Sequence, residues 1–82
     1  MRVDKFLKNS RLIKRRTVAK EACDGGRVSI NGRAAKAGDE VKIGSVIEIR
    51  FGASTVRAEV RDLPKVATKE NAGEMYRVIN DE

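Results

Sequence analysis

Three consecutive cations, Lys14, Arg15 and Arg16, stand where the stretch KRRTVAKEACDGG begins a helical pattern. A helix N-terminus presents unfilled N–H groups and a partial positive charge, so basic side chains there oppose the dipole. Ser, Thr, Asp or Asn is the usual cap, and here the cap position falls on Arg15. Each misplaced charge costs a few tenths to about 1 kcal/mol while no anion is bound. A phosphate reverses the sign, because the helix N–H groups and the guanidinium forks both attract it. The chemistry these residues can do is anion binding, and arginine suits a two-donor grip on phosphate.

Other chemistry is poorly supplied. The chain has no histidine, which removes the commonest general base and the commonest metal ligand together. No Gly-rich segment has the spacing of a phosphate-transfer or dinucleotide site. Asp39 and Glu40 are adjacent in a turn-rich stretch, a pattern of turn chemistry more than of an acid–base pair. Cys23, the single cysteine, sits between Ala22 and two glycines and reads as a small core residue. The expectation is a protein that is not an enzyme, with no catalytic residue, cofactor or metal.

Charge distribution points the same way. The chain of 82 residues carries a net charge of +6, with 40% hydrophobic and 37% charged residues, which suits one small domain. Residues 1–36 hold eleven Lys/Arg against three Asp/Glu, a net of +8, and residues 37–82 hold seven against nine, a net of −2. A polyanion-facing surface on a nearly neutral body is the expected result. Two Phe, one Tyr and no Trp leave few stacking platforms for single-stranded nucleic acid. Structured RNA, recognised by shape and backbone, fits better than base reading in a DNA groove. No apolar run is long enough to span a membrane and MRVDKFLKNS lacks a signal-peptide core, so a cytoplasmic protein is expected.

The elements that must position the cations are short. Val3, Phe6, Leu7 and Ser10 have helical spacing, with Asp4 suited to the N-terminal dipole and Arg2, Lys5 and Lys8 off the apolar stripe. From Arg16, residues Val18, Ala19, Ala22 and Cys23 share an arc, with Arg16 and Lys20 on its rim. Gly25-Gly26 ends this helix. The period then becomes two: Val28 and Ile30 alternate with Arg27 and Ser29, and Asn31-Gly32 signals a tight hairpin. VIEIRF and TVRAEV read as strands, the second closed by Pro64. Lys65 to Asn71 is readable as loop or short helix, and Met75 to Ile79 as strand or helical turn, with strand favoured. The class is α+β.

These residues also carry a resemblance. RVDKFL, KRRTVAKEACDGGRVSING and the turn VKIG resemble the αL RNA-binding motif of the S-four-type domain family. The match runs over about residues 1–51, anchored by Arg2, Asp4, Leu7, Arg16, Ala19, Gly26, Val28, Asn31, Gly32 and Gly44. It implies two helices packed on a small curved, mainly antiparallel sheet, with a basic helical face that binds structured RNA. Residues 1–82 then form one RNA-binding domain, with 52–82 as a further strand and C-terminal extension. Many members have Ser at the cap where Arg15 stands here. Within the family, SRLIKRRTVAKEA and the MYRVI stretch are similar to the short RqcP group, related to heat-shock protein fifteen. That resemblance implies a ribosome-associated quality control factor on split large subunits that still hold a nascent chain on tRNA. Large-subunit ribosomal RNA, that tRNA and RqcH would be its partners, and alanine tailing by RqcH its context. A monomer is expected.

Three other readings stay open. A heat-shock-protein-fifteen-like recycling factor would have no tailing role. An accessory domain of an RNA-modifying enzyme, such as a pseudouridine synthase, is the second. A small protein docking its basic face on an acidic protein is the third. In the leading reading the RNA face comprises Arg2, Lys5, Arg11, Lys14, Arg15, Arg16 and Lys20, with Arg27 at its margin, while Gly26, Asn31 and Gly32 are turn residues. Arg57, Arg61 and Lys69 are expected to be dispensable. Arg16 admits two roles. As an outward phosphate contact, its loss leaves stability level or higher; as a partner of Asp4 or another carboxylate, its loss loosens the helices.

Overall fold

The computed structural model describes residues 1–79. The first apolar pattern folds as α1 (Val3–Asn9), burying Val3, Phe6 and Leu7. Its start is tied down, because Val3 N–H donates to the Asp39 carbonyl at 2.7 Å and Val41 N–H to the Met1 carbonyl at 3.0 Å. The Met1 ammonium adds an ion pair to Glu40 at 3.2 Å. The second pattern folds as α2 (Arg16–Asp24), with Arg15 at the N-cap in extended backbone and no side-chain cap hydrogen bond. At its other end Gly26 takes φ +78°. Gly26 N–H then reaches the Cys23 carbonyl at 3.0 Å and Arg27 N–H the Ala22 carbonyl at 2.9 Å. This paired closure satisfies carbonyls the helix leaves over, and a left-handed glycine makes it inexpensive.

Five strands follow: β1 (Val28–Ile30), β2 (Arg33–Ala34), β3 (Val46–Phe51), β4 (Ser54–Val60) and β5 (Tyr76–Ile79). Their order across the sheet is β2-β1-β3-β4-β5, every neighbouring pair antiparallel. The period of two sorts the faces. Val28, Ile47, Ile49 and Val60 join Phe6, Leu7, Ala19 and Cys23 in the core, so both helices cover one face of the sheet. The other face carries Glu48 beside Arg57, paired at 3.2 Å, and Glu59 between Arg61 and Arg77, each at 3.6 Å. The expected α+β class, two N-terminal helices on a small antiparallel sheet, is the architecture found.

The β1–β2 hairpin turns on Asn31 (φ +51°) and Gly32 (φ +83°), the two successive positive φ values that match the strands' twist. Asn31 also accepts the Val46 N–H on Oδ1 at 2.8 Å, pinning the turn to β3. A Cβ at Gly32 would meet nothing within 4 Å, so the cost of a side chain there is purely conformational. Gly32→Val is expected to lose about 1–3 kcal/mol of stability, read from its thermal melt, with RNA affinity of the folded fraction unchanged.

The C-terminal third resolves what the pattern left open. Residues 65–71 form no helix; Thr68 and Asn71 exchange side-chain and backbone hydrogen bonds at 2.7 and 3.2 Å. A 3₁₀ turn (Ala72–Glu74) delivers Met75 fully buried into the core, and β5 then pairs with β4. β4 ends at Val60, where the TVRAEV pattern ends, and beyond it Arg61 and Asp62 both turn their N–H groups to the Met75 carbonyl. Cys23 is 1% exposed, and burial, with Asp4, Asp24 and Asp39 nearby, pushes its thiol up to about 11. It is a neutral core residue at pH 7.

Candidate nucleic-acid interface

A buried carboxylate organises the basic face. Asp4, in the first turn of α1, has a side chain only 3% exposed, and leaving such a charge unpaired would be costly. Arg2 reaches it through Nε at 3.2 Å and Nη2 at 3.3 Å, and Arg16 through Nε at 3.4 Å. Lys5 N–H donates to the same carboxylate at 2.8 Å. Both guanidinium groups nevertheless stay half exposed. One carboxylate thus holds two arginine heads in fixed positions and links the start of α1 to the start of α2.

Beside them lies a cleft of about 300 Å³ lined by Arg2, Asp4, Arg16, Thr17 and Lys20. Lys20 is one helical turn beyond Arg16, so it extends the same row along α2. Three of the expected RNA residues converge here. Of the two roles open to Arg16, the Asp4 partnership is the one the geometry contains. Level stability on losing Arg16 is therefore no longer expected, because Asp4 would lose one of its two cations. The pairing does not hide Arg16, whose Nη groups make no hydrogen bond among the described residues.

A second cleft, of about 390 Å³, is lined by Lys8, Arg11 and Lys14 where the chain passes from α1 to α2. Arg11 holds φ +65°, a left-handed backbone in which a side chain is strained. The turn is fixed by Arg11 N–H to the Lys8 carbonyl at 3.0 Å and by buried Ser10, whose hydroxyl donates to the Leu7 carbonyl at 3.2 Å. An arginine in a place that favours glycine points to use of its charge. Arg11→Gly should raise stability by about 0.5–1 kcal/mol by removing that strain, while weakening RNA binding. Melting curves beside RNA titrations check both signs.

Lys5 and Arg15 are exposed, on α1 and at the start of α2, and line neither cleft. Arg27 lies apart, beyond the far end of α2, whose nine residues span about 13 Å. It shares its surroundings with Arg50, which reasoning from sequence passed over because strand register alone brings the two together. Lys8, outside the face expected from sequence, joins Arg11 and Lys14, and its spacing of three from Arg11 is the signal that marks it. Arg57 and Arg61, expected to be dispensable, are ion-paired with Glu48 and Glu59. Among the described residues no group of three or more His, Cys, Asp or Glu side chains is placed to hold a metal. No helix among them is long and apolar enough to cross a membrane.

Comparison with known proteins gives this geometry a context. The S4 domain family model matches residues 1–47. A Bacillus subtilis protein named RQC P-site tRNA stabilizing factor is 52% identical over 82 residues, spanning 100% of this chain and 95% of its own length. A Listeria monocytogenes protein of the same name is 54% identical, spanning 100% of this chain and 89% of its own. Among solved structures, trimeric heat shock protein 15 of Vibrio cholerae superposes with a TM-score of 0.87 at 30% identity, covering 96% of this chain and 81% of that one. A hypothetical protein solved in solution superposes with a TM-score of 0.83 at 31% identity, covering each chain completely.

Proposed function

The chain belongs to the S4 domain family, in the branch of the RQC P-site tRNA stabilizing factors, and on that premise we propose that it is a non-catalytic RNA-binding factor of ribosome-associated quality control. The observation that carries this reading is the Asp4-held pair Arg2 and Arg16 beside Lys20. Guanidinium groups fixed before binding lose less side-chain freedom when they grip a phosphate. The start of α2, which has no side-chain cap and whose Arg16 and Thr17 line the same cleft, adds the partial positive charge of its free N–H groups.

In this proposal the protein acts as one monomeric unit on a split large ribosomal subunit that still carries a nascent chain on tRNA. It contacts ribosomal RNA and tRNA together, and no bond is made or broken by its own residues. A factor that binds the tRNA-occupied subunit better than the empty one favours the occupied state by that difference in affinity. Holding the tRNA this way supports RqcH as it adds alanine residues without a template. The similarity to heat shock protein 15 favours a second reading, a recycling factor with no tailing role.

Affinity purification with a C-terminal tag, which leaves the Met1 ammonium free for Glu40, tests the proposal. Large subunits, tRNA and RqcH should co-purify, and ribonuclease should release the protein from all three. Whole ribosomes recovered in equal amount would count against it. Alanine tails persisting at their normal level in a deletion strain would favour the recycling reading.

A further inference from the structure

The two arginines at the far end of α2 are arranged in a way the folded chain alone does not explain. Arg27 precedes β1 and Arg50 lies on β3; Arg50 N–H donates to the Arg27 carbonyl at 2.9 Å, continuing the register that pairs Val28 with Ile49. Their side chains therefore leave the sheet on the same face from directly opposite positions, where like charges repel. The neighbouring rows on that face are matched, Glu48 with Arg57 and Glu59 with Arg77. Among the described residues neither Arg27 nor Arg50 has an ion-pair partner.

Between them lies a cleft of about 410 Å³ lined by Gly25, Gly26, Arg27, Arg50 and Gly52. Three of its five lining residues have no side chain, so a ligand can approach the backbone closely. The Arg27 side chain passes over Gly25, its Nε 3.9 Å from where a Cβ would stand. No carboxylate lines the cleft, and both arginines are exposed. An uncompensated, directly opposed guanidinium pair at a bare-backbone cleft is matched in charge and reach to the phosphates of a nucleic-acid strand.

We infer that the Arg27–Arg50 cleft is a second RNA-backbone site, gripping a phosphodiester segment other than the one held at the start of α2. It rests on the RNA-binding function proposed above and adds a second point of contact. The cleft lies beyond the opposite end of α2 from Arg16, and its two arginines leave the sheet face that the helices do not cover, so the two sites present different surfaces. A protein so built bridges two stretches of backbone, from one RNA or from two.

Large subunits carrying peptidyl-tRNA provide the test, with affinity measured by co-sedimentation across a salt series. Arg27→Gln with Arg50→Gln should keep or raise the melting temperature, because a like-charge contact is removed. Its affinity should fall at least fivefold, and its log–log salt slope should become shallower by about two. Arg50→Gln alone should shift the slope by about one, and Arg27→Lys with Arg50→Lys should keep the wild-type slope. A double glutamine variant with the wild-type affinity and slope overturns the inference, and so does a loss of affinity at unchanged slope. If such a variant binds normally while Arg16→Ala does not, the helical face remains and only the second site falls. Failure of the wild type to bind would instead remove the proposed function itself.

Discussion

Replacing Asp4 with alanine is expected to lower stability by about 2–3 kcal/mol and to weaken RNA binding, although it removes a negative charge from a basic face. The stability loss follows from burial, since Arg2, Arg16 and the Lys5 N–H all lose the acceptor they share. Breaking a buried pair costs about 3–5 kcal/mol, reduced here because both arginines are half exposed and regain water. Counting charges alone predicts tighter RNA binding. Preorganisation predicts the opposite, because two freed side chains must be ordered again at about 0.5–1.5 kcal/mol each. Denaturant melts and anisotropy titrations with a labelled RNA stem-loop measure the two quantities. Tighter binding at an unchanged melt would show that Asp4 only dampens the local charge.

Arg16→Ala has the larger expected effect on function. Large-subunit binding should weaken by at least about 1.5 kcal/mol, as for a lost charge-assisted contact, and alanine tailing in cells should fail in step. Stability should fall by only about 1 kcal/mol, because Asp4 retains Arg2 and the Lys5 N–H. Relief of the helix dipole at the start of α2 offsets part of even that loss. Arg16→Lys keeps the charge but not the planar fork, and should fall between alanine and wild type. A clear drop in melting temperature, with normal binding by the surviving folded fraction, would make Arg16 a helix tie and nothing more.

What the sequence disclosed and what it hid divide along one line. The ends of α2, the Asn31-Gly32 turn and strands β3 and β4 depend on residues within a few positions of one another, and were legible. The double mismatch of Arg15 and Arg16 at a helix start was likewise visible as a local conflict. The Asp4–Arg16 pairing was legible only as one of two roles open to Arg16. The second arginine on the same buried carboxylate, Arg2, was not, because Asp4 satisfies the dipole of its own helix and gives no sign of being buried under a second one. Arg50 was hidden by the charge sum itself, since it belongs to the nearly neutral half and meets Arg27 only through strand register. The path of the chain after β4 depends on Met75, fifteen residues beyond Val60, whose carbonyl takes the next two N–H groups. Asn80, Asp81 and Glu82, in the VINDE ending, lie outside the described residues.

The salt dependence of binding to large subunits carrying peptidyl-tRNA tests the central claim most directly. A factor that neutralises roughly four to six phosphates should give a log–log slope of about −3 to −5. A variant with Arg57, Arg61 and Lys69 all changed to glutamine should fall on the wild-type line, while Arg16→Ala should lie below it and run shallower. A wild-type slope near zero, or binding that survives ribonuclease, would contradict the account.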